Sequence, residues 1–187
     1  MNTTAIIEMQ TRIGTTPDGF WGPKSIAACQ AHLRALMPTP NPWPATDQAS
    51  LSAFYGYPGD ESRHVKMDVD GLGVKYDGNP VTFIRCHERV SASLYSIFAA
   101  IAKSRHAGIL AHYDGCYANR PMRGGSTPSL HARAAAVDLD SALNGNTAHW
   151  PAQAMMPLAV MEIFAAEGWL SAGAFWSRDS MHFQGTR

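Results

Sequence analysis

Two short segments of this chain hold residue types that could do chemistry together. The first runs Ser129-Leu130-His131-Ala132-Arg133-Ala134-Ala135-Ala136-Val137-Asp138, with His131 leaving a turn-rich loop and Asp138 seven residues later on an apolar run. The second is Asp179-Ser180-Met181-His182-Phe183, where a carboxylate and an imidazole three apart share one side of a tight turn. A carboxylate in an apolar run needs a partner, because burying it alone is costly. For the first segment two readings stand: a salt bridge from Asp138 to an arginine beside an ordinary loop histidine, or an imidazole and a carboxylate aimed at one cation. The second segment reads either as a terminal strand with an exposed Asp179 or as the source of a further ligand.

Taken together, the segments offer two imidazoles, one carboxylate and a spare acid. Nitrogen and oxygen donors of this kind suit Zn²⁺, and three protein ligands (His131, Asp138 and His182) leave a coordination position for water, the mark of a catalytic site. Zinc acidifies water and polarises a carbonyl. Asp179 would stand beside the metal as the base that passes a proton to the leaving amine. Arg120 and Arg123, just before the His131 loop, are the candidates to hold a developing oxyanion; their plainer reading is ordinary loop arginines. Other patterns fall short. His87-Glu88-Arg89-Val90-Ser91 begins like a zinc-protease helix but has Ser91 where the second histidine belongs. No nucleophile elbow is present, and Gly71-Leu72-Gly73 lacks a third glycine. His32, His64, His106 and His149 read as surface or loop residues, and Glu162 and Glu167 as solvated.

The elements that must position these groups divide into three regions. Residues 1–36 read as a helical unit, with patterns around Ala5–Ile13 and Ser25–Leu36 flanking the turn Thr16-Pro17-Asp18-Gly19-Phe20-Trp21-Gly22-Pro23. A unit so short leans on the rest of the chain. Residues 37–49, with prolines at 38, 40, 42 and 44, read as an extended semi-rigid linker. Residues 50–187 form the larger domain. Its expected elements are short strands or loops between Val69 and Ile84, a helix from about His87 to His106, strands at Ile109–Tyr113 and Ala135–Leu139, and a helix from Pro157 to Glu167 that Gly168 ends. No regular strand–helix–strand rhythm emerges, so the fold class is α+β: a small antiparallel sheet with helices packed around a zinc site, plus the helical unit.

Composition narrows the functions. The 187 residues are 45% hydrophobic and 16% charged, with zero formal net charge and no basic block, which argues against nucleic acid as a partner. No apolar run reaches the roughly 20 residues of a membrane span, and the first residues lack the basic start and apolar core of a secretory signal. Synthesis in a cytoplasm without a signal peptide follows as the expectation. Cys29, Cys86 and Cys116 are odd in number and never at CxxC spacing, so buried reduced thiols are expected rather than disulfides or a thiolate zinc site.

The two-part pattern, Ser129-x-His131 with Asp138 and then Asp179-x-x-His182-Phe183, resembles the signature of the M15 zinc peptidases. That family includes D-Ala-D-Ala carboxypeptidases and phage endolysins that cut L-Ala-D-Glu bonds. Tyr117, Arg120, Arg123-Gly124-Gly125, Gly168-Trp169 and Trp176 are also similar, and the likeness covers most of residues 50–187. It implies His131, Asp138 and His182 as zinc ligands, Asp179 as general base, Arg120 or Arg123 as the stabilising arginine, and Ser129 and Trp176 against substrate. One departure is Ala134, where the family usually has glycine. Residues 1–36 look like a shortened peptidoglycan-binding domain, with Gln10 and then Asp18-Gly19-Phe20-Trp21 as the wall-binding stretch. The plainer reading there is a turn with two core aromatics. The combination implies a phage-type lysin, monomeric, that needs Zn²⁺, takes peptidoglycan as substrate and uses a holin for release; a D-Ala-D-Ala carboxypeptidase and a non-catalytic zinc-bearing wall-binding module are the alternatives.

Overall fold

The computed structural model describes residues 2–187. Helix α1 (Thr3–Arg12) starts at Asn2, whose side chain accepts a bond from the Ala5 amide. Helix α2 (Pro23–Leu36) has its proline in the first turn, where a missing N–H costs nothing. Between them the amide of Gln10, fully buried, ties down the turn. Its nitrogen lies 2.8 Å from Asp18 Oδ1, 3.0 Å from the Phe20 carbonyl and 3.0 Å from Ser25 Oγ, while its oxygen accepts from the Gly19 amide at 2.8 Å.

The segment expected as an extended spacer has no regular element before a helix begins at Gln48, and it is packed against the rest of the chain. Trp43 and Pro44 are buried, the Trp43 indole donates to the Glu167 carbonyl at 2.7 Å, and the Asn41 amide donates to the Gly168 carbonyl at 2.9 Å. Helix α3 (Gln48–Tyr55), capped by Asp47, has no counterpart among the expected elements. Strands β1 (His64–Asp68) and β4 (Phe83–His87) pair antiparallel, and β2 (Lys75–Tyr76) and β3 (Asn79–Pro80) make a separate short hairpin.

Helix α4 (Glu88–Ala102) buries Val90, Leu94, Ile97, Phe98 and Ile101 along one stripe, as the spacing requires. It ends short of His106, and residues 107–112 form a 3₁₀ helix where a strand over Ile109–Tyr113 was expected; strand β5 covers only Tyr113–Gly115. A short apolar run has no period that separates strand from helix, and here the tighter turn buries Leu110 in the core.

Strand β6 (Ala136–Leu139), the short helix α5 (Ser141–Asn144), helix α6 (Leu158–Ala166), strand β7 (Leu170–Ser171), helix α7 (Ala172–Trp176) and strand β8 (His182–Gln184) complete the chain. Strands β5, β6, β8 and β7 form one antiparallel sheet in that order. Its two faces differ. Val137 and Phe183, paired across β6 and β8, face the core, where Phe183 stacks on Phe164 of α6 at 3.8 Å. An aromatic buried this way is worth about 3–5 kcal/mol. Asp138 pairs with His182, and alternation puts both on the opposite face. The architecture is the mixed helix and small antiparallel sheet that was expected.

Glu162 of α6 corrects one expectation. It is buried rather than solvated, because α2 packs over that side of an almost wholly apolar helix. A buried carboxylate needs partners. Glu162 has them in Arg12, which grips both its oxygens, and in His32 at 2.8 Å, so His32 is an inter-helix contact and not a free surface residue. Trp21 meets Trp150 edge-on at 5.1 Å, a second tie between the first two helices and the rest.

Candidate metal centre and cleft

Three elements bring the first-named side chains together. Asp138 and His182 are register partners on β6 and β8. His131 arrives from the 3₁₀ turn Leu130–Arg133 that feeds β6, whose first amides are capped by Ser129; its hydroxyl accepts from the His131 N–H at 3.3 Å. The turn closes on Ala134 at φ +52°, in the left-handed region. Holding a non-glycine residue there costs roughly 1–2 kcal/mol, which explains why a glycine suits this position. Ser177 and Asp179, which precede His182, also have positive φ at 60° each. Strain of this kind gathers at functional sites.

Hydrogen-bond accounting fixes what the three groups present to one another. His131 Nδ1 lies 2.7 Å from the Cys116 carbonyl, which can only accept, so Nδ1 carries the proton and Nε2 is a bare lone pair. His182 Nε2 lies 3.1 Å from Gln184 Oε1, while the Gln184 amide nitrogen donates to Thr186 Oγ1 at 2.7 Å. That assignment leaves His182 Nδ1 bare as well. The two bare nitrogens are 3.1 Å apart, and Asp138 Oδ1 is 3.2 Å from His131 Nε2 and 3.0 Å from His182 Nδ1. With both imidazoles neutral, three buried acceptors therefore face one point with no donor among them.

This donor set fits a divalent cation. Tetrahedral zinc with nitrogen and oxygen ligands at about 2.0–2.1 Å separates its ligand atoms by roughly 3.3 Å, and the observed triangle is that figure slightly contracted. The acceptors behind each imidazole N–H are the outer partners that orient metal-binding histidines. Burial alone would raise the Asp138 carboxyl. Where an imidazole carries a second proton in place of a cation, the hydrogen bonds and charge of His131 and His182 outweigh burial and hold Asp138 well below the usual range. In that same doubly protonated form burial lowers His182, but its bond to Asp138 and that residue's charge raise it by more.

The triangle forms part of the wall of a cleft of about 350 Å³. Asp179, Ser129 and Trp176 line it, as do Arg120 and Arg123. The Trp176 ring lies 6.1 Å from that of His182. Asp179 sits one tight turn away, its carbonyl accepting from the His182 amide at 2.9 Å, and its Oδ1 is sealed from solvent without a hydrogen-bond partner. Burial raises the Asp179 carboxyl, His182 pulls it down and Asp138 pushes it up again. Arg123 is near enough to act on that carboxylate. Arg120 bonds the Pro121 carbonyl at 3.3 Å.

Residues 123–185 match a family model described as D-alanyl-D-alanine carboxypeptidase. No curated protein and no solved structure matches the chain. The match supports an M15-type metallopeptidase that acts on peptidoglycan. It covers about a third of the chain and contains His131, Asp138, Asp179 and His182.

Sequence reasoning missed several cleft residues. Gln184 lies two positions past His182 on the same strand face, so strand alternation could have found it. Arg178, Asn146, Thr147 and Met122 line the cleft with no spacing that marks them. Tyr117 does not line it; its hydroxyl donates to Glu61 at 2.6 Å. The stretch Asp18, Gly19, Phe20 and Trp21 lies apart from the cleft: Phe20 is 72% exposed, whereas Trp21 is half-buried against Trp150. All three cysteines are free and buried, as expected.

Proposed function

We propose that this chain is a zinc-dependent peptidoglycan peptidase of the phage endolysin type, which hydrolyses a stem or crosslink peptide bond, L-Ala-D-Glu in preference. The observation that carries the reading is the triangle of three buried acceptors beside an unpartnered carboxylate in a cleft. His131, Asp138 and His182 would hold zinc. When bound, the ion supplies Lewis acidity to a scissile carbonyl and acidifies water.

The chain's own groups do the rest. Asp179, raised by burial and free of hydrogen bonds at Oδ1, takes a proton from the attacking water and delivers it to the leaving amine. Arg120 or Arg123 offers a guanidinium to the oxyanion. Ser129 and Trp176 border the substrate, with the Trp176 ring, 44% exposed, as an apolar wall. Asp18, Gly19, Phe20 and Trp21 are the proposed contact to the wall, on a unit of residues 1–36 joined through 37–49 to the peptidase of residues 50–187. No helix among the described residues is long and apolar enough to cross a membrane. A monomer made in the host cytoplasm and released by a holin completes the proposal.

The test is digestion of defined muropeptides by zinc-loaded protein, read by mass spectrometry. Scission between L-Ala and D-Glu is expected. Loss of a single terminal D-Ala would instead make the chain a D-Ala-D-Ala carboxypeptidase, the activity in the family model's description. Absence of any cleavage, with walls still bound, would make it a non-catalytic zinc-bearing module.

A further inference from the structure

A second groove, of about 510 Å³, lies between α2, the proline-rich segment and α7. It shares a wall with the cleft, because Trp176 lines both. Its sides are tied together rather than merely adjacent. Gln30 of α2 donates to the Ala174 carbonyl of α7 at 3.1 Å, and Asn41 donates to the Gly168 carbonyl at 2.9 Å. The groove is therefore formed before any ligand enters.

Arg34 and Arg187 line the groove, and no carboxylate side chain does among the described residues. The Arg34 guanidinium lies 4.9 Å from the centre of the Phe175 ring and makes no ion pair among the described residues. A cation fixed over an aromatic face keeps its N–H groups available for a planar anion. Phe175 and Trp176 add apolar surface on the side that leads to the cleft.

We infer that this groove is a second subsite that holds a carboxylate-bearing peptide arm of the same wall fragment whose scissile bond lies in the cleft. The inference rests on the peptidase reading above. A substrate long enough to pass Trp176 would meet Arg34 with its free carboxylates, whereas one stem peptide would end in the cleft. Wall fragments with two peptide arms then bind more tightly than single stems, and length selection lies in α2.

Titration calorimetry tests this with two probes: a soluble crosslinked muropeptide with two peptide arms, and one isolated stem tetrapeptide. Zinc-loaded protein carrying Asp179→Asn prevents turnover. Arg34→Glu is expected to raise the ratio of the two Kd values (crosslinked over single) by about fivefold or more, the scale of a partly screened charge contact, with the gap narrowing in high salt. Arg34→Lys keeps the charge and loses the planar fork, so its ratio is expected to fall between those of the unmodified protein and Arg34→Glu. Thr46→Trp, which fills the groove from an exposed position and leaves Arg34 on Phe175, raises it as Arg34→Glu does. A ratio that moves less than about twofold in both Arg34→Glu and Thr46→Trp overturns the subsite. So does equal, salt-insensitive binding of an uncharged chitooligosaccharide, which would make the groove a glycan site. Hydrolysis by the unmodified protein is scored separately. If it cuts neither probe the peptidase reading fails, while the Kd ratio still reports on the groove.

Discussion

The Gln10 amide and the His131–Asp138–His182 triangle are both made of buried polar side chains, yet their inventories of donors and acceptors differ. Gln10 offers two N–H groups to the carbonyl, carboxylate and hydroxyl oxygens around it, and its own oxygen takes the Gly19 amide. Every need is met inside the protein, and the result is a folded turn. The triangle has spent its two imidazole protons on Cys116 and Gln184, so what remains at the centre is three lone pairs. That arrangement is unfavourable until a cation enters. Burial and polarity are common to both; only the closure of the hydrogen-bond account separates the structural cluster from the functional one.

The largest effect should come from removing a corner of the triangle. His182→Ala should abolish hydrolysis and lower metal affinity by at least about 100-fold, since loss of an outer partner alone costs 10–100-fold. Metal analysis of the purified variant reads this directly, and retention of one tightly held zinc would end the comparison. Asp179→Asn should reduce turnover by about 10²- to 10⁴-fold while leaving the metal in place. The same change should stabilise the fold. The folded carboxyl is raised above its unfolded value, so its ionisation opposes folding. The gain in Tm should therefore be absent in acid, grow as pH rises through the ordinary carboxylate range, and level off above the raised folded value. Thermal melts across pH that show a loss of stability would refute the burial argument.

One step further out, Gln184→Leu removes the acceptor behind His182 and should weaken metal binding by about 10–100-fold. Competition with a zinc chelator measures this; an unchanged affinity would mean that the His182 tautomer is set by something else. At the structural cluster the signature reverses. Gln10→Leu leaves the Gly19 amide and its neighbours unsatisfied and should cost about 2–3 kcal/mol in denaturant unfolding, with zinc stoichiometry intact.

These contrasts also mark how far the sequence could be read. The three corners of the triangle could be grouped from the sequence because order and spacing survive folding: His131 and Asp138 flank one turn, and Asp179 and His182 another. That Asp138 and His182 would be register partners was not legible, since pairing between distant strands leaves no local trace. The helices α4 and α6 were visible in their apolar stripes, whereas the 3₁₀ turn at residues 107–112 and helix α3 lacked a period long enough to declare itself. Glu162 looked solvated because its partners, Arg12 and His32, come from the far end of the chain. Arg178 and Arg34 carry no motif at all; only the cleft and the groove single them out.

The smallest effect concerns a donor atom that lies beside the triangle and stays out of it. The Cys116 thiol is fully buried near Asp138, and its Sγ lies 3.5 Å from the Ala134 carbonyl. Burial raises its pKa well above the usual thiol value, with the charge of Cys86 and Asp138 adding to the rise. Cys86 is pushed up to about 11 and Cys29 to about 12 by the same loss of solvent. A thiol that keeps its proton is a poor nucleophile and a poor metal ligand. None of the three should react with a thiol-directed reagent at neutral pH in the folded protein, whether zinc-loaded or chelated, and all three should react once denaturant is added. Labelling of Cys116 on chelation alone would mean that the triangle loosens without its cation, and that the cation, as much as the strand register, holds β6 against β8.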